Sequence, residues 1–148
     1  MNQVRFRRAG LSRLINQALT PRKVQVGVLS DEPRRDGKDN AAIGLEHEFG
    51  NYSERLPQRS FLLMPLEKHM RLDELSASEW FKLFMDKNPR PMLHALGDLA
   101  EDTIQTAFDT GGFGEWPGLS PRTIAGKGHD TILVDTTDLR GSIEHRIA

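Results

Sequence analysis

Glu46-His47-Glu48 is the run whose residue types most invite chemistry, because it opens like the helical motif of zinc proteases. That motif needs a second imidazole four residues after the first, so that both nitrogens share one helix face, and here the position holds Asn51. The run therefore reads as a polar helix face with Phe49 buried behind it. The remaining histidines, at 69, 94, 129 and 145, fall in different predicted elements with no ligand spacing between them. Ser30, Ser60, Ser120 and Ser142 lack the glycine pattern of a nucleophile elbow, and the chain has no cysteine. Asp135 and Asp138 flank a Thr-Thr pair as an acid–base dyad would, but aspartate ahead of a short helix is better read as a cap. Gly126-Lys127-Gly128 lacks the preceding strand and the spacing of a phosphate loop, and reads as a turn. No catalytic residue, metal or cofactor is assigned, and the chain reads as non-enzymatic.

The elements that must position these residues follow from periodicity and punctuation. Leu11, Leu14, Ile15, Ala18 and Leu19 share one face of an amphipathic helix ended by Thr20-Pro21. Lys23 to Leu29 alternates as a strand, with Val24, Val26 and Val28 on one side. Residues 30–39 form a charged loop. Asn40 reads as the N-cap of a helix that buries Ala41, Ala42, Leu45 and Phe49 and stops at Gly50, which can take a positive φ. Beyond it, Leu56-Pro57 and Arg59-Ser60-Phe61 read as an extended arm.

Pro65 suits the start of a further helix, with Leu66, Met70 and Leu72 inward. Ser76-Ala-Ser-Glu79 has the form of a capping box ahead of Trp80, Phe81, Phe84 and Met85. The longest helical pattern runs from about Pro91 to Phe108, its stripe made by Leu93, Leu96, Leu99, Ala100, Ile104, Ala107 and Phe108, and Gly111-Gly112 ends it. Ser120-Pro121 opens a helical turn through Ile124 closed by Gly126-Lys-Gly. Ile132 to Val134 is a short apolar run, Asp135 to Asp138 caps a turn holding Leu139 and Ile143, and Glu144 to Ile147 forms a final strand. The prediction is an α+β fold: a small, mostly antiparallel β-sheet packed against a long amphipathic helix, with extended loops and arms for oligomer contacts.

The chain has 148 residues and a formal net charge of -1, which suits one domain and leaves no global field to recruit nucleic acid or membrane. Residues 1–148 read as a single domain, a basic helix or arm at 1–22 leading an α+β body at 23–148. Up to Lys23 there is no acid, whereas Arg5, Arg7, Arg8 and Arg13 could touch DNA phosphates or an acidic partner. No stretch approaches the roughly 20 apolar residues that span a bilayer, and the absence of cysteine suits a reducing cytosol. Leu56, Phe61, Leu62, Leu63, Phe113, Trp116 and Leu119 lie on predicted loops. Apolar and aromatic residues grouped with arginine are the composition of protein interfaces, so Arg55, Leu56, Arg59, Phe61, Leu62 and Trp116 are candidate subunit contacts. The alternative for some of the apolar and aromatic side chains among them is to fold back as lids on the small sheet.

Taken in order, Val24-x-Val-Gly-Val, Glu48-Phe49-Gly50, Leu56-Pro57-x-Arg59-Ser60-Phe61-Leu62, Leu119-Ser-Pro-x-Thr-Ile with Lys127-Gly128, and Ile132-Leu-Val-Asp135-Thr136-x-x-Leu139-Arg-x-Ser142-Ile143 resemble the neck, tail-completion or virion morphogenesis proteins of long-tailed bacteriophages and prophages. Ser60 stands where that family commonly has proline, and Thr137 where it commonly has glycine. The resemblance implies a structural virion subunit, located in the neck or tail and in the host cytoplasm during assembly. It also implies self-association into a homo-oligomeric ring, a hexamer, beside connector, tail-terminator or tail-tube proteins, with packaged DNA in the channel. A different class of function, a small nucleic-acid-binding protein using the basic first segment, is the alternative.

Overall fold

The computed structural model describes residues 23–29, 39–78, 80, 81, 89–133 and 138–148. Strand β1 (Val24–Val28) pairs antiparallel with β2 (Ile143–Ile147), Val24 opposite Ile147 and Val28 opposite Ile143, and Lys23 and Ala148 extend the ladder with reciprocal amide bonds of 3.0 and 2.9 Å. Between the strands come α1 (Asn40–Phe49), α2 (Leu63–Lys68), a 3-10 turn (Leu72–Glu74), α3 (Arg90–Thr110), α4 (Pro121–Lys127) and the one-turn α5 (Asp138–Gly141). The fold is α+β: a two-stranded antiparallel sheet against which the long α3 packs. Among the described residues, no helix is long and apolar enough to cross a membrane.

α3 forms where the apolar stripe was read. Leu93, Ala100, Ile104, Ala107 and Phe108 are buried on it, and Gly111 ends it in the left-handed conformation at φ 64°. The core joins this stripe to Phe61, Trp116, Leu139 and Ile143, with Val26, Val28 and Ile43 against its edge. Its aromatic centre is a short ladder: the Phe61 and Phe108 centroids lie 5.6 Å apart, and Phe108 meets Trp116 edge-on at 5.8 Å. α4 follows its sequence cues, with Ser120 Oγ accepting from Thr123 N at 3.2 Å and Gly128 closing it at φ 78°.

Four expectations are corrected. Asp39, not Asn40, caps α1, accepting from Ala41 N at 2.9 Å, while Asn40 is buried as the first helical residue. Ala41, Ala42, Leu45 and Phe49 face outward, and the buried side is Asn40, Gly44 and Glu48, flanked by half-buried Ile43 and His47. The cause is what lies beneath the helix: Gly44 rests on the Phe61 ring and on Leu139, with room for no more than a tight methyl. Ile143 belongs to β2 rather than to the turn before it, and Leu72 is exposed. The predicted helix at 11–19, the loop at 30–38, Glu79, residues 82–88 and Asp135 lie outside the described residues, as do Arg5, Arg7, Arg8 and Arg13.

Candidate functional site

The arm does not extend away from the body. Gly50 turns the chain at φ 77°, a conformation that disfavours a side chain, and a Cβ there would also press on Gln58 N at 2.9 Å. Asn51 and Leu56 then close a tight turn through reciprocal backbone bonds, Asn51 N to Leu56 O at 2.9 Å and Leu56 N to Asn51 O at 2.8 Å. Arg55, at φ 56°, makes the turn possible and is itself exposed. From Pro57 the chain runs back along α1: Gln58 Nε2 donates to Glu48 O at 3.0 Å and Arg59 N to His47 O at 2.8 Å.

Glu48 organises what comes next. Its carboxylate, on a residue only 4% exposed, accepts from Ser60 Oγ (2.6 Å), Phe61 N (2.9 Å), Leu62 N (2.9 Å) and Leu63 N (3.1 Å). Those amides lead into α2, whose N-cap residue Leu62 has no side chain able to cap. The two oxygens do that work from another helix, and a negative charge there also meets the positive end of the helix dipole. Ser60 Oγ accepts in turn from Met64 N at 2.9 Å, and Pro65 has no amide to satisfy, so the first turn of α2 carries no orphan donor. Ser60 is thus a working member of the cap.

Arg59 makes the second clasp. Its guanidinium, on a residue 5% exposed, donates from Nε to Pro117 O at 3.1 Å and from Nη2 to Gly118 O at 3.3 Å. Burial pulls its pKa below the ordinary arginine value. Trp116, the next residue back along the same loop, donates its indole N–H to Ser60 O at 3.0 Å. His69 stacks on Phe113 at a centroid distance of 3.7 Å, and Lys68 pairs with Glu115 at 2.8 Å, tying α2 to the 111–118 loop. His47 is half-buried; desolvation first, and the nearby Arg59 charge second, lower its imidazole pKa.

Of the residues assigned to subunit contacts, Phe61 (0% exposed), Arg59 and Trp116 (8%) are therefore committed within their own chain. Folding back, the alternative weighed for Phe61 and Trp116, is what the structure has. Leu62 is half-buried beside the core and Leu56 half-buried in the turn, leaving Arg55 outside. The surface missed by sequence reading is the outer face of α1, where Leu45 is 62% exposed, Phe49 61%, and Tyr52, on the turn beyond, 100%. The spacing of Leu45 and Phe49 did mark one helical face; it could not say that the face points outward.

A groove of about 400 Å³ lies between Glu48, Ser60, Met64, Glu67, Lys68 and Trp116. Its buried acid has its lone pairs taken by the chain's own four donors, which leaves that carboxylate unsuited to acid–base work on a substrate. No model of a protein family, no curated protein and no solved structure matches the chain.

Proposed function

We propose that the chain is a non-enzymatic structural subunit of a tailed-phage virion, which self-associates into a ring at the head–tail joint or tail-completion position through the outer face of α1. The observation that carries this reading is the exposed row of Leu45, Phe49 and Tyr52. A monomer leaving large apolar and aromatic side chains in line along a helix and its following turn presents surface of the kind that protein partners cover. The ordered motifs supply the virion context. Glu48-Phe49-Gly50 spends its acid inside and its aromatic outside, and Leu56-Pro57-x-Arg59-Ser60-Phe61 together with Leu119-Ser-Pro supplies or adjoins the clasps that hold that face in place. In a ring, the same patch on every copy meets a different patch on its neighbour, and rotation closes the assembly.

Light scattering coupled to size-exclusion chromatography, followed by negative-stain microscopy, tests the proposal. The wild-type protein should form closed oligomers, and Leu45→Asp with Phe49→Asp should yield folded monomers with an unchanged circular dichroism spectrum. A wild-type protein that stays monomeric at high concentration, or a double variant that assembles as before, would overturn it.

A further inference from the structure

The histidines at 94 and 145, unrelated in sequence, are brought together where β2 crosses α3. His94, Asp98 and Glu101 follow one face of α3 at helical spacing, and His145 comes across from the strand. Its imidazole lies over Gly97, where any Cβ would collide with the ring, so the approach depends on glycine at that position. His145 Nδ1 stands 2.8 Å from Glu101 Oε1 and 3.8 Å from Asp98 Oδ1, while Nε2 faces His94 Nδ1 at 3.0 Å. One ring nitrogen is thus engaged by a second imidazole, and the other is aimed at two carboxylates.

In one neutral tautomer His145 Nδ1–H donates to Glu101 while Nε2 accepts from His94; in the other, Nε2–H donates to His94 Nδ1 and the free Nδ1 lone pair faces the Glu101 carboxylate, an arrangement in which a metal ion can lie between them. We propose that Asp98, Glu101 and His145 form a binding site for a divalent first-row transition ion, Zn2+ fitting the nitrogen and oxygen donors best, with His94 holding the ligating ring from behind. The three donor atoms already lie within 4.8 Å of one another. Around Zn2+, at bond lengths of about 2.0–2.2 Å, neighbouring ligand atoms are roughly 3.3 Å apart, so only modest side-chain rotation is required. Asp98, whose side chain is 69% exposed, is free to swing inward. His94 supplies what metal-bound histidines ordinarily have, a partner on the second ring nitrogen that fixes orientation and tautomer. Binding releases the Nδ1 proton to solvent if the ring was charged, and it staples β2 to α3 without involving the arm or the exposed face of α1.

The test is calorimetric titration of the full-length, chelator-treated protein with zinc chloride alone, at two pH values, together with thermal melts. One ion should bind per chain, more tightly at pH 7.5 than at pH 5.5 because proton and metal compete for Nδ1. Asp98→Asn and Glu101→Gln should each weaken binding about 10-fold or more, and His94→Gln should weaken it within the 10- to 100-fold range typical of supporting groups. His145→Gln is the direct variant but could disturb packing, since that side chain is only 12% exposed; Asp98→Asn, at an exposed position, keeps the proposal falsifiable. Absence of a saturable one-to-one isotherm, or affinity unchanged in Asp98→Asn and Glu101→Gln but lost in His129→Gln, would overturn the site and leave adventitious binding only.

Discussion

Glu48 Oε1 accepts a 2.6 Å hydrogen bond from Ser60 Oγ, and through it two stretches joined by a tight turn become one cap for α2. Removing the carboxylate strands a hydroxyl and three amides at once. Glu48→Ala should therefore cost about 3 kcal/mol in urea denaturation, more than an ordinary surface change, because charge-assisted bonds are lost and buried donors are left unpaired. Glu48→Gln keeps the shape but turns a donating amide toward other donors, and should cost on the order of 2 kcal/mol. Hydrogen exchange should speed up first at residues 61–64 in both variants.

Arg59 offers a sharper contrast, because its planar fork addresses two carbonyls of adjacent residues. Lysine has the charge but not the fork, so Arg59→Lys should behave nearly as badly as Arg59→Ala. Limited proteolysis checks this: cleavage should appear within 117–128 in both variants while the wild type resists. Equal resistance in Arg59→Lys would show that charge alone suffices.

Phe49, at the root of the arm, and Phe61, at its end, should separate stability from assembly. Phe61→Ala opens a cavity beneath Gly44 and should cost about 3–5 kcal/mol, the range for large core truncations. Phe49→Ala removes an exposed ring and should change monomer stability by less than about 0.5 kcal/mol. Paired measurements of unfolding midpoint and oligomer mass decide it. Loss of stability in Phe49→Ala would mean that this ring contributes to the subunit's own packing.

His47 supplies a pH dependence with a definite sign. Burial and Arg59 depress its folded-state pKa, so the unfolded chain holds the proton more readily than the folded one. Stability from this group is complete above the unfolded value of about 6.5 and is lost as pH falls below it toward the depressed folded value. Thermal melts between pH 7.5 and 5 should show a fall in midpoint that is smaller in His47→Gln. A fall of the same size in the variant would assign the effect to other groups.

How much of this was legible beforehand depended on which forces shaped each element. α3, β1 and α4 announce themselves because a helical stripe, an alternation of valines and a serine–proline start each report local physics. The orientation of α1 did not, because its inner face is selected by backbone rather than by apolar side chains. Gly44 is needed for closeness to Phe61 and Glu48 for its oxygens, and neither scores as hydrophobic. Glutamate four residues after a glycine within a helix is a faint sign of such packing at best. Arg59 and Trp116 stand out in the sequence because arginine and aromatic residues on loops have the composition of interfaces, whereas in the fold their partners are Pro117, Gly118 and Ser60 of the same chain. The approach of His94 to His145 across Gly97 could not be read from spacing, since it joins separate elements.

The pairing of β1 with β2 has a consequence for biosynthesis. β1 is made before β2, yet among the described residues the backbone bonds of its ladder come from β2, far along the chain. Such distant closure is slow, and until it occurs the valine-rich edge of β1 is an unpaired template open to the wrong partner. A ribosome carrying this chain must therefore translate through α3 and α5 before the sheet can exist. In the proposed ring, each copy then joins its neighbours only as a finished unit, which places folding ahead of assembly in time.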